Sequence, residues 1–324
     1  MRIYIDGNTK VNRYYVQTLC MVFFPNVGFS EEEPILPDTP ILRLAVDTAE
    51  SGEVHVACCV TQGERTAASD KTYSPRPDLE SDRFLKIAIG DAVVNACGEL
   101  IGYRPAWGIL TGVRPSKVAT EMLLAGISKT RVKRILTNDY FVIPKKAALA
   151  VDVALNERRI IGTPGRKDCS IYVSIPFCPT RCAYCSFVSY SSKRLLSLIP
   201  EYLERLCHDI RRMAETIRSM GLRVRTVYIG GGTPTTLDEK QLEKLLNVIN
   251  SCTDTSILEE FTLEAGRPDT ITSEKLAVIK NGGVTRVSVN PQTLNPAVLE
   301  IIGRHHTVDE FFRAYDLVKN SGIK

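Results

Sequence analysis

The sequence predicts an α/β fold, a partial (βα) barrel preceded by a smaller α+β domain, and three observations support this prediction. In the second half, strand-like and helical segments alternate, as in parallel βα units. Residues 1–70 mix strand-like runs with one helical stretch, and residues 81–161 are helical in pattern. Between the halves, Gly162-Thr-Pro-Gly165 interrupts the last of these helices. We therefore expect an N-terminal α+β domain at residues 1–165 and a barrel domain at residues 166–324.

The N-terminal domain is predicted to begin with strands and to end with helices. Alternation of polar and apolar residues indicates strands, whereas apolar residues three and four positions apart indicate helices. The predicted strands are residues 1–7, 41–46 and 54–60, and the predicted helices are residues 12–24, 82–100, 116–124, 128–136 and 144–159.

The barrel domain contains four predicted strands, each followed by a helical segment. A complete (βα) barrel has about eight such units, so we expect a sheet that is truncated after the fourth unit. Residues 322–324 resemble the approach to a fifth strand. The predicted strands are residues 170–177, 225–229, 260–263 and 286–289, and the predicted helices are residues 193–220, 238–251, 273–281 and 308–320.

Composition and charge favour a globular protein whose ligands bind at defined sites. The chain has 324 residues, is 44% hydrophobic, and carries a formal charge of +4 from 41 basic and 37 acidic residues. So small a charge does not indicate a nucleic-acid or membrane-surface partner. No apolar run reaches the length of about 18 residues that a membrane span needs, and the N-terminus lacks the apolar core of a signal peptide. We expect a cytoplasmic protein whose ten cysteines are mostly reduced thiols.

Three cysteines form the strongest chemical signal in the sequence. Cys178-Pro-Thr-Arg-Cys182-Ala-Tyr-Cys185 follows the first predicted strand of the second half, where three thiolates on one loop can face one metal centre. Iron–sulfur clusters usually have four thiolate ligands, so three cysteines leave one iron open to another ligand. Structural zinc is the alternative, but it needs four closed ligands, and the nearest further candidates are Cys169 and His208.

Glycines and polar residues follow the later strands. Gly230-Gly-Gly-Thr-Pro-Thr235 ends the second strand and is either a plain turn or a segment that lets a ligand approach the backbone. Glu264, Gln292 and Arg304 come after the next strands and the short helix beyond them. Carboxyl ends of parallel strands are where such folds collect functional groups. Tyr184, between two of the cysteines, either meets a cofactor or packs beneath the loop.

The segment from Tyr172 to Phe187, YVSIPFCPTRCAYCSF, followed by the motif at 230–235, resembles the radical S-adenosylmethionine (SAM) family of oxygen-independent coproporphyrinogen III oxidases, also called dehydrogenases. The resemblance is greatest to the HemZ-type branch. It runs from about Cys169 to the end, and residues 107–115, WGILTGVRP, are similar to the N-terminal domain of that branch. The expected fold of the second half is therefore a partial radical SAM (βα) barrel.

The resemblance implies two cofactors and the residues that bind them. Cys178, Cys182 and Cys185 would hold a [4Fe-4S] cluster, and its open iron would bind the amino and carboxylate groups of SAM. The remaining SAM contacts would come from the residues that match the family's motifs. These are Tyr172, Tyr184, Gly231, Gly232, Thr233, Glu264, Gln292 and Arg304.

The resemblance also implies a reaction in haem biosynthesis. In the family's decarboxylases, a 5′-deoxyadenosyl radical takes hydrogen from propionate side chains, and loss of carbon dioxide and an electron leaves vinyl groups. Coproporphyrinogen III thereby becomes protoporphyrinogen IX. The implied partners are a porphyrinogen or haem and a reducing electron donor such as a flavodoxin or ferredoxin. Arg267, His305 and His306 are candidates for contacts with propionates, although the two histidines fit solvated surface positions better.

Two departures from the family pattern keep a second function open. The best-established decarboxylases have a further cysteine two residues past the third, where this chain has Phe187, as do relatives regarded as haem chaperones. The family's usual histidine three residues before Phe177 is Ser174 here. A haem- or porphyrin-binding chaperone on the same cluster and SAM scaffold is therefore the alternative to the decarboxylase. Residues 107–115 either form a packed loop or, as a third option, dock a partner or an anion at the helix that follows.

Overall fold

A computed structural model describes residues 1–30 and 36–323 of the chain. It divides into two compact units, Met1–Thr163 and Pro164–Lys324, and the division falls within the Gly-Thr-Pro-Gly segment at 162–165. Within the described ranges, no helix combines the length and hydrophobicity needed to cross a bilayer.

The first unit contains a four-stranded sheet in the order β1-β2-β3-β4. β1 pairs with β2 in parallel, and the other two pairs are antiparallel. The last strand is absent from the sequence-based prediction because its residues, RTAASDKTY, are mostly small or charged. It is a strand because it pairs with β3, and not because its own residues favour a strand. The strands are β1 Arg2–Asp6, β2 Ile41–Thr48, β3 Val54–Gln62 and β4 Arg65–Tyr73.

Among the described residues of the first unit, five helices share one apolar core with the sheet. The longest has buried residues along most of its length, as expected for a helix that packs against both a sheet and other helices. It ends at Gly102, which adopts the left-handed conformation that closes many helices. The helices are α1 Arg13–Phe23, α2 Ser81–Ile101, α3 Pro115–Leu124, α4 Lys129–Asn138 and α5 Pro144–Ile161.

The second unit is a parallel α/β structure with its own apolar core. Its four strands lie in the order β5-β6-β7-β8, and each neighbouring pair is parallel. The predicted alternation of strands and helices is therefore confirmed. The strands are β5 Asp168–Ile175, β6 Arg223–Gly231, β7 Glu260–Ala265 and β8 Arg286–Val289, and the helices are α6 Lys193–Leu196, α7 Ile199–Ser219, α8 Glu239–Cys252, α9 Ser273–Asn281, α10 Pro296–Ile301 and α11 Val308–Ser321.

The predicted helix at 193–220 is wrong in one respect, because the structure divides it into α6 and α7. Pro200 lies in the first turn of α7, a position where its missing N–H is harmless. Because it has no N–H, Pro200 cannot donate to the carbonyl of Leu196 four residues earlier, and α6 ends at Leu196. At the other end of the unit, the predicted approach to a fifth strand reaches Lys324, which lies outside the described residues.

The two faces of the second sheet differ in character. Residues such as Val173, Ile229 and Leu263 are fully buried on the face that packs against the helices. Alternate residues lie on the opposite face, where Tyr172, Tyr228 and Glu264 occupy neighbouring strands. Because side chains alternate along a strand, the sequence of each strand places polar groups on one face and apolar groups on the other.

We expect the apolar face of this sheet to contribute most of the stability of the second unit. Ile249→Ala on α8 removes a fully buried side chain and should lower the free energy of unfolding by about 2–5 kcal/mol through lost burial and the cavity left behind. Ile257→Ala is the matched control, because that side chain is largely exposed, and should change it by less than about 0.5 kcal/mol. Urea unfolding measures both. Equal losses would show that burial in this core does not decide stability.

Candidate functional site

A group of polar side chains lies near the carboxyl ends of β5, β6 and β7. The ring of Tyr172 stacks on that of Tyr228, with centroids 5.6 Å apart and planes 11° from parallel. The Tyr228 hydroxyl donates a hydrogen bond to Oε1 of Glu264. Burial first, and then this bond, raise the pKa of Tyr228. Three residues on successive strands therefore form one polar cluster, of which sequence reasoning identified Tyr172 and Glu264 but missed Tyr228.

The tyrosine at 228 was missed because it lies within a strand and belongs to no motif. A side chain two residues before Gly230 lies on the same face as that glycine. A Cβ at Gly230 would lie 2.8 Å from Cε1 of Tyr228, 3.1 Å from Oε2 of Glu264 and 3.1 Å from the hydroxyl of Tyr172. The polar cluster thus surrounds the first glycine of the Gly230–Thr235 motif.

The cysteines lie on a loop that follows β5 and is closed at its base. Phe177 and Tyr190 form a parallel bridge, in which the Cys178 N–H donates to the Tyr190 carbonyl at 3.0 Å. The Tyr190 N–H donates to the Pro176 carbonyl at 2.8 Å. Within the loop, the Cys185 N–H donates to the Cys182 carbonyl at 3.1 Å and forms a turn. These bonds keep the three cysteines on one short closed segment.

The three thiols differ in exposure and in their neighbours. Cys178 and Cys182 are buried, whereas Cys185 is half-buried. Burial raises the pKa of the Cys178 thiol, and the Thr233 hydroxyl, 3.3 Å from its sulfur, and the Arg267 charge oppose this effect. A hydrogen-bond donor and a cation favour the thiolate form that binds iron.

The three cysteines were predicted to bind an iron–sulfur cluster. In the portion of the chain that it describes, no three His, Cys, Asp or Glu side chains are grouped as a metal site. The donors nevertheless fit a [4Fe-4S] cluster in chemistry and place. All three are thiols, all lie on one loop at a sheet edge, and Cys182 and Cys185 both influence the ionisation of Cys178.

The glycine motif packs directly against this loop. The Gly232 N–H donates to the Ile175 carbonyl and the Thr233 N–H to the Phe177 carbonyl, both at 2.8 Å. Gly231 has a φ of 104°, a conformation that only glycine adopts readily. A Cβ at Gly232 would lie 2.6 Å from the Phe177 carbonyl oxygen and 3.0 Å from the Cys178 sulfur. Glycine is therefore needed here for close approach as well as for a turn.

Gln292 and Arg304 lie in the segments that follow β8 and α10. Gln292 has a φ of 59°, a left-handed conformation that is uncommon for a residue with a side chain. Arg304 is buried, and its Nη1 donates to the Gly266 carbonyl at 2.7 Å. Its Nε has no hydrogen-bond partner among the described residues. A buried guanidinium N–H without a partner is available to a ligand.

Tyr184 occupies an open position on the cysteine loop. Both it and Tyr172 keep more than half of their surface exposed. Tyr184 therefore does not pack beneath the loop, which removes that alternative from the sequence-based reading.

Two of the residues considered for propionate binding, Arg267 and His306, are buried and not at the surface. Arg267 and His306 are only 2% and 3% exposed, so the expectation that His306 is a solvated surface residue is wrong. Both ring nitrogens of His306 lack a hydrogen-bond partner within the described ranges. Burial lowers the pKa of His306, and the nearby Arg304 charge lowers it further. His305 is exposed, as expected.

The close contact at Gly232 leads to a prediction for iron binding. Gly232→Ala forces a methyl group against the Phe177 carbonyl and the Cys178 sulfur, so we expect less iron per chain after anaerobic reconstitution. Gly266→Ala is the matched control, because the nearest atom to its new Cβ is 3.7 Å away. Iron and acid-labile sulfide are counted for both. Full iron content in the Gly232 variant would contradict the proposed contact between the glycine turn and the cluster loop.

Comparisons with known proteins agree with these features. Residues 172–324 match the model of the Radical SAM superfamily. The whole chain is 35% identical to the oxygen-independent coproporphyrinogen-III oxidase-like protein HemZ of Bacillus subtilis and spans 65% of its length. The heme chaperone HemW of B. subtilis is 39% identical over 157 residues, which cover 48% of this chain and 40% of HemW.

A solved structure with a similar arrangement is that of coproporphyrinogen III oxidase (HemN) from Escherichia coli, described as a radical SAM enzyme. It is 24% identical, with a TM-score of 0.44, over 53% of this chain and 38% of HemN. One segment of the chain contains both the parallel sheet and the three-cysteine motif. The same segment matches the Radical SAM model over residues 172–324. The second unit of this chain belongs to the Radical SAM superfamily, and its cofactors are accordingly a [4Fe-4S] cluster and SAM.

Proposed function

We propose that this chain catalyses, as a radical SAM oxidoreductase, the oxygen-independent oxidative decarboxylation of coproporphyrinogen III to protoporphyrinogen IX in haem biosynthesis. The observation that carries the proposal is the similarity to HemZ, which extends over the whole chain and includes the first unit. HemZ is itself named as oxidase-like, and the chain spans about two thirds of its length.

In the proposed site, Cys178, Cys182 and Cys185 bind the cluster. Gly231, Gly232 and Thr233 contact SAM through the close-packed turn, and Tyr184 meets its adenosyl part from the open side of the loop. Around them, four further residues would complete the SAM site. These are Tyr172, Glu264, Gln292 and Arg304.

The geometry gives these side chains distinct tasks. Glu264 presents Oε1 to Tyr228 and leaves Oε2 to accept a hydrogen bond from an ammonium or hydroxyl group. Arg304 has a free Nε for a carboxylate, and a guanidinium is well suited to that group. When bound and reduced, the cluster supplies one electron that cleaves a sulfur–carbon bond of SAM and gives methionine and a 5′-deoxyadenosyl radical. We propose a reducing one-electron carrier such as a flavodoxin or ferredoxin as the donor.

A second candidate function is that of a haem or porphyrin chaperone that keeps the same cofactors. Two observations favour it. About half of this chain is similar to several proteins named as heme chaperone HemW, at 39% and 37% identity in the B. subtilis and Lactococcus lactis proteins. Phe187, which is 65% exposed, stands where the best-established decarboxylases have a further cysteine.

One assay distinguishes the two functions. The reconstituted protein is incubated anaerobically with coproporphyrinogen III, SAM and dithionite, and protoporphyrinogen and 5′-deoxyadenosine are quantified. The decarboxylase proposal predicts both products, and predicts their loss in Cys178→Ala. Haem binding and stoichiometric transfer to an apoprotein, without protoporphyrinogen, would instead support the chaperone function and overturn the first proposal.

The role assigned to Glu264 gives a prediction for SAM affinity. Glu264→Gln removes the charge that accepts a hydrogen bond from SAM, an interaction of about 1.5–3 kcal/mol for charged groups. The dissociation constant for SAM should therefore rise by about ten- to a hundredfold. Equilibrium dialysis of the reconstituted protein with labelled SAM measures it.

Glu260→Gln is a matched control for this prediction. Glu260 lies on the same strand and face but at its opposite end, where it pairs with Arg286 at 3.1 Å. We expect its SAM affinity to equal that of the unmodified protein. Equal affinities in the Glu264 and Glu260 variants would remove Glu264 from the SAM site.

A further inference from the structure

Arg267 has an unusual environment for a charged residue. Its side chain is almost completely buried, and within the described residues it forms no ion pair with a carboxylate. Its Nη2 donates to the Thr180 carbonyl oxygen at 2.5 Å and to the Cys182 sulfur at 3.5 Å. Burial of an unpaired cation is costly, so natural proteins normally provide an anion nearby. Among the hydrogen-bond partners of its guanidinium, the group that can carry negative charge is the Cys182 sulfur.

The backbone around Arg267 fixes the direction of this side chain. Arg267 precedes a short 3-10 helix, Pro268–Thr270, and its carbonyl accepts bonds from the Thr270 N–H at 3.0 Å and the Thr270 hydroxyl at 2.8 Å. The Thr270 hydroxyl also lies 2.6 Å from that of Thr235, which belongs to the glycine motif. The position of Arg267 is thus determined by the turn after β7 and by the motif after β6.

The cysteine loop receives further support on the same side. The Ala183 N–H donates to the Ile302 carbonyl at 3.1 Å, and the Thr180 hydroxyl donates to the Gly303 carbonyl at 3.2 Å. The Thr180 carbonyl thus accepts a hydrogen bond from Arg267, and its hydroxyl donates one to the Gly303 carbonyl. Two segments distant in sequence therefore hold this part of the loop. Arg267 contributes the only charge among these contacts.

We infer that Arg267 is a positioning residue and the counter-ion of the cluster, holding the loop at Thr180 and stabilising negative charge on the Cys182 sulfur. This inference rests on the assignment of Cys182 as a cluster ligand in the proposed function. The cluster gains one electron on reduction and becomes more negative. A fixed cation and a hydrogen bond at a ligand sulfur stabilise that form, because hydrogen bonds to the sulfurs and net charge set the potential of such clusters.

Three variants test this inference. Arg267→Gln keeps a hydrogen-bond donor but removes the charge, and Arg267→Lys keeps the charge but loses the Nη2 group that donates to both Thr180 and Cys182. Arg223→Gln is the control, because Arg223 pairs with Asp168 at 2.8 Å at the opposite end of the strands. Iron is counted, and the midpoint potential of the cluster is measured by EPR-monitored titration with dithionite.

We expect the midpoint potential of the cluster to be more negative in Arg267→Gln. The equilibrium constant for one-electron reduction should fall about tenfold, which corresponds to a shift of about 59 mV. Arg267→Lys should lie between this value and that of the unmodified protein, and Arg223→Gln should match the unmodified protein. If Arg267→Gln loses its iron, Arg267→Lys still reports the shift. An unchanged potential in every Arg267 variant that retains iron, or equal iron loss in Arg223→Gln, overturns the inference. Absence of a cluster from the unmodified protein would instead refute the proposed ligands.

Discussion

The pairing of β5 with β6 continues beyond the ends of both strands, and the arrangement of the site depends on it. Hydrogen bonds from Gly232 to Ile175 and from Thr233 to Phe177 extend the parallel pairing into the two segments that follow. The glycine turn and the start of the cysteine loop are therefore joined through their backbones. This explains why a side chain at 232 is excluded, since any Cβ would occupy the space between the two segments.

Charge is distributed unevenly around the cysteine loop. Arg267 and Arg304 are both buried, both donate to backbone carbonyls, and neither has a carboxylate partner among the described residues. Glu264, the carboxylate of the polar cluster, accepts a hydrogen bond from the Tyr228 hydroxyl. A site with two unpaired guanidinium groups is suited to anionic ligands, and both the cluster with its thiolates and the carboxylate of SAM fit that description.

Much of this arrangement could be predicted from sequence because it depends on local patterns. Strand and helix alternation predicted the parallel sheet, and the cysteine spacing predicted the loop and its place after β5. The roles of Arg267 and Tyr228 could not be predicted in this way, because each depends on contacts between strands or turns far apart in sequence. Arg267 touches residues 87 and 85 positions earlier in the chain. β4 was missed for a related reason, since its neighbour and not its composition makes it a strand.

In the proposed site, the contacts of the Glu264 carboxylate limit how SAM can bind. Oε1 is already engaged by Tyr228, whose ring stacks on Tyr172, so the carboxylate cannot rotate freely without losing that bond. Oε2 lies beside Gly230, 3.1 Å from the position that a Cβ would take there. A ligand group that donates one hydrogen bond fits this geometry, whereas one that needs both oxygens would have to displace the tyrosine. The stacked tyrosines thus orient the carboxylate in advance, and a preoriented acceptor loses less entropy when it binds.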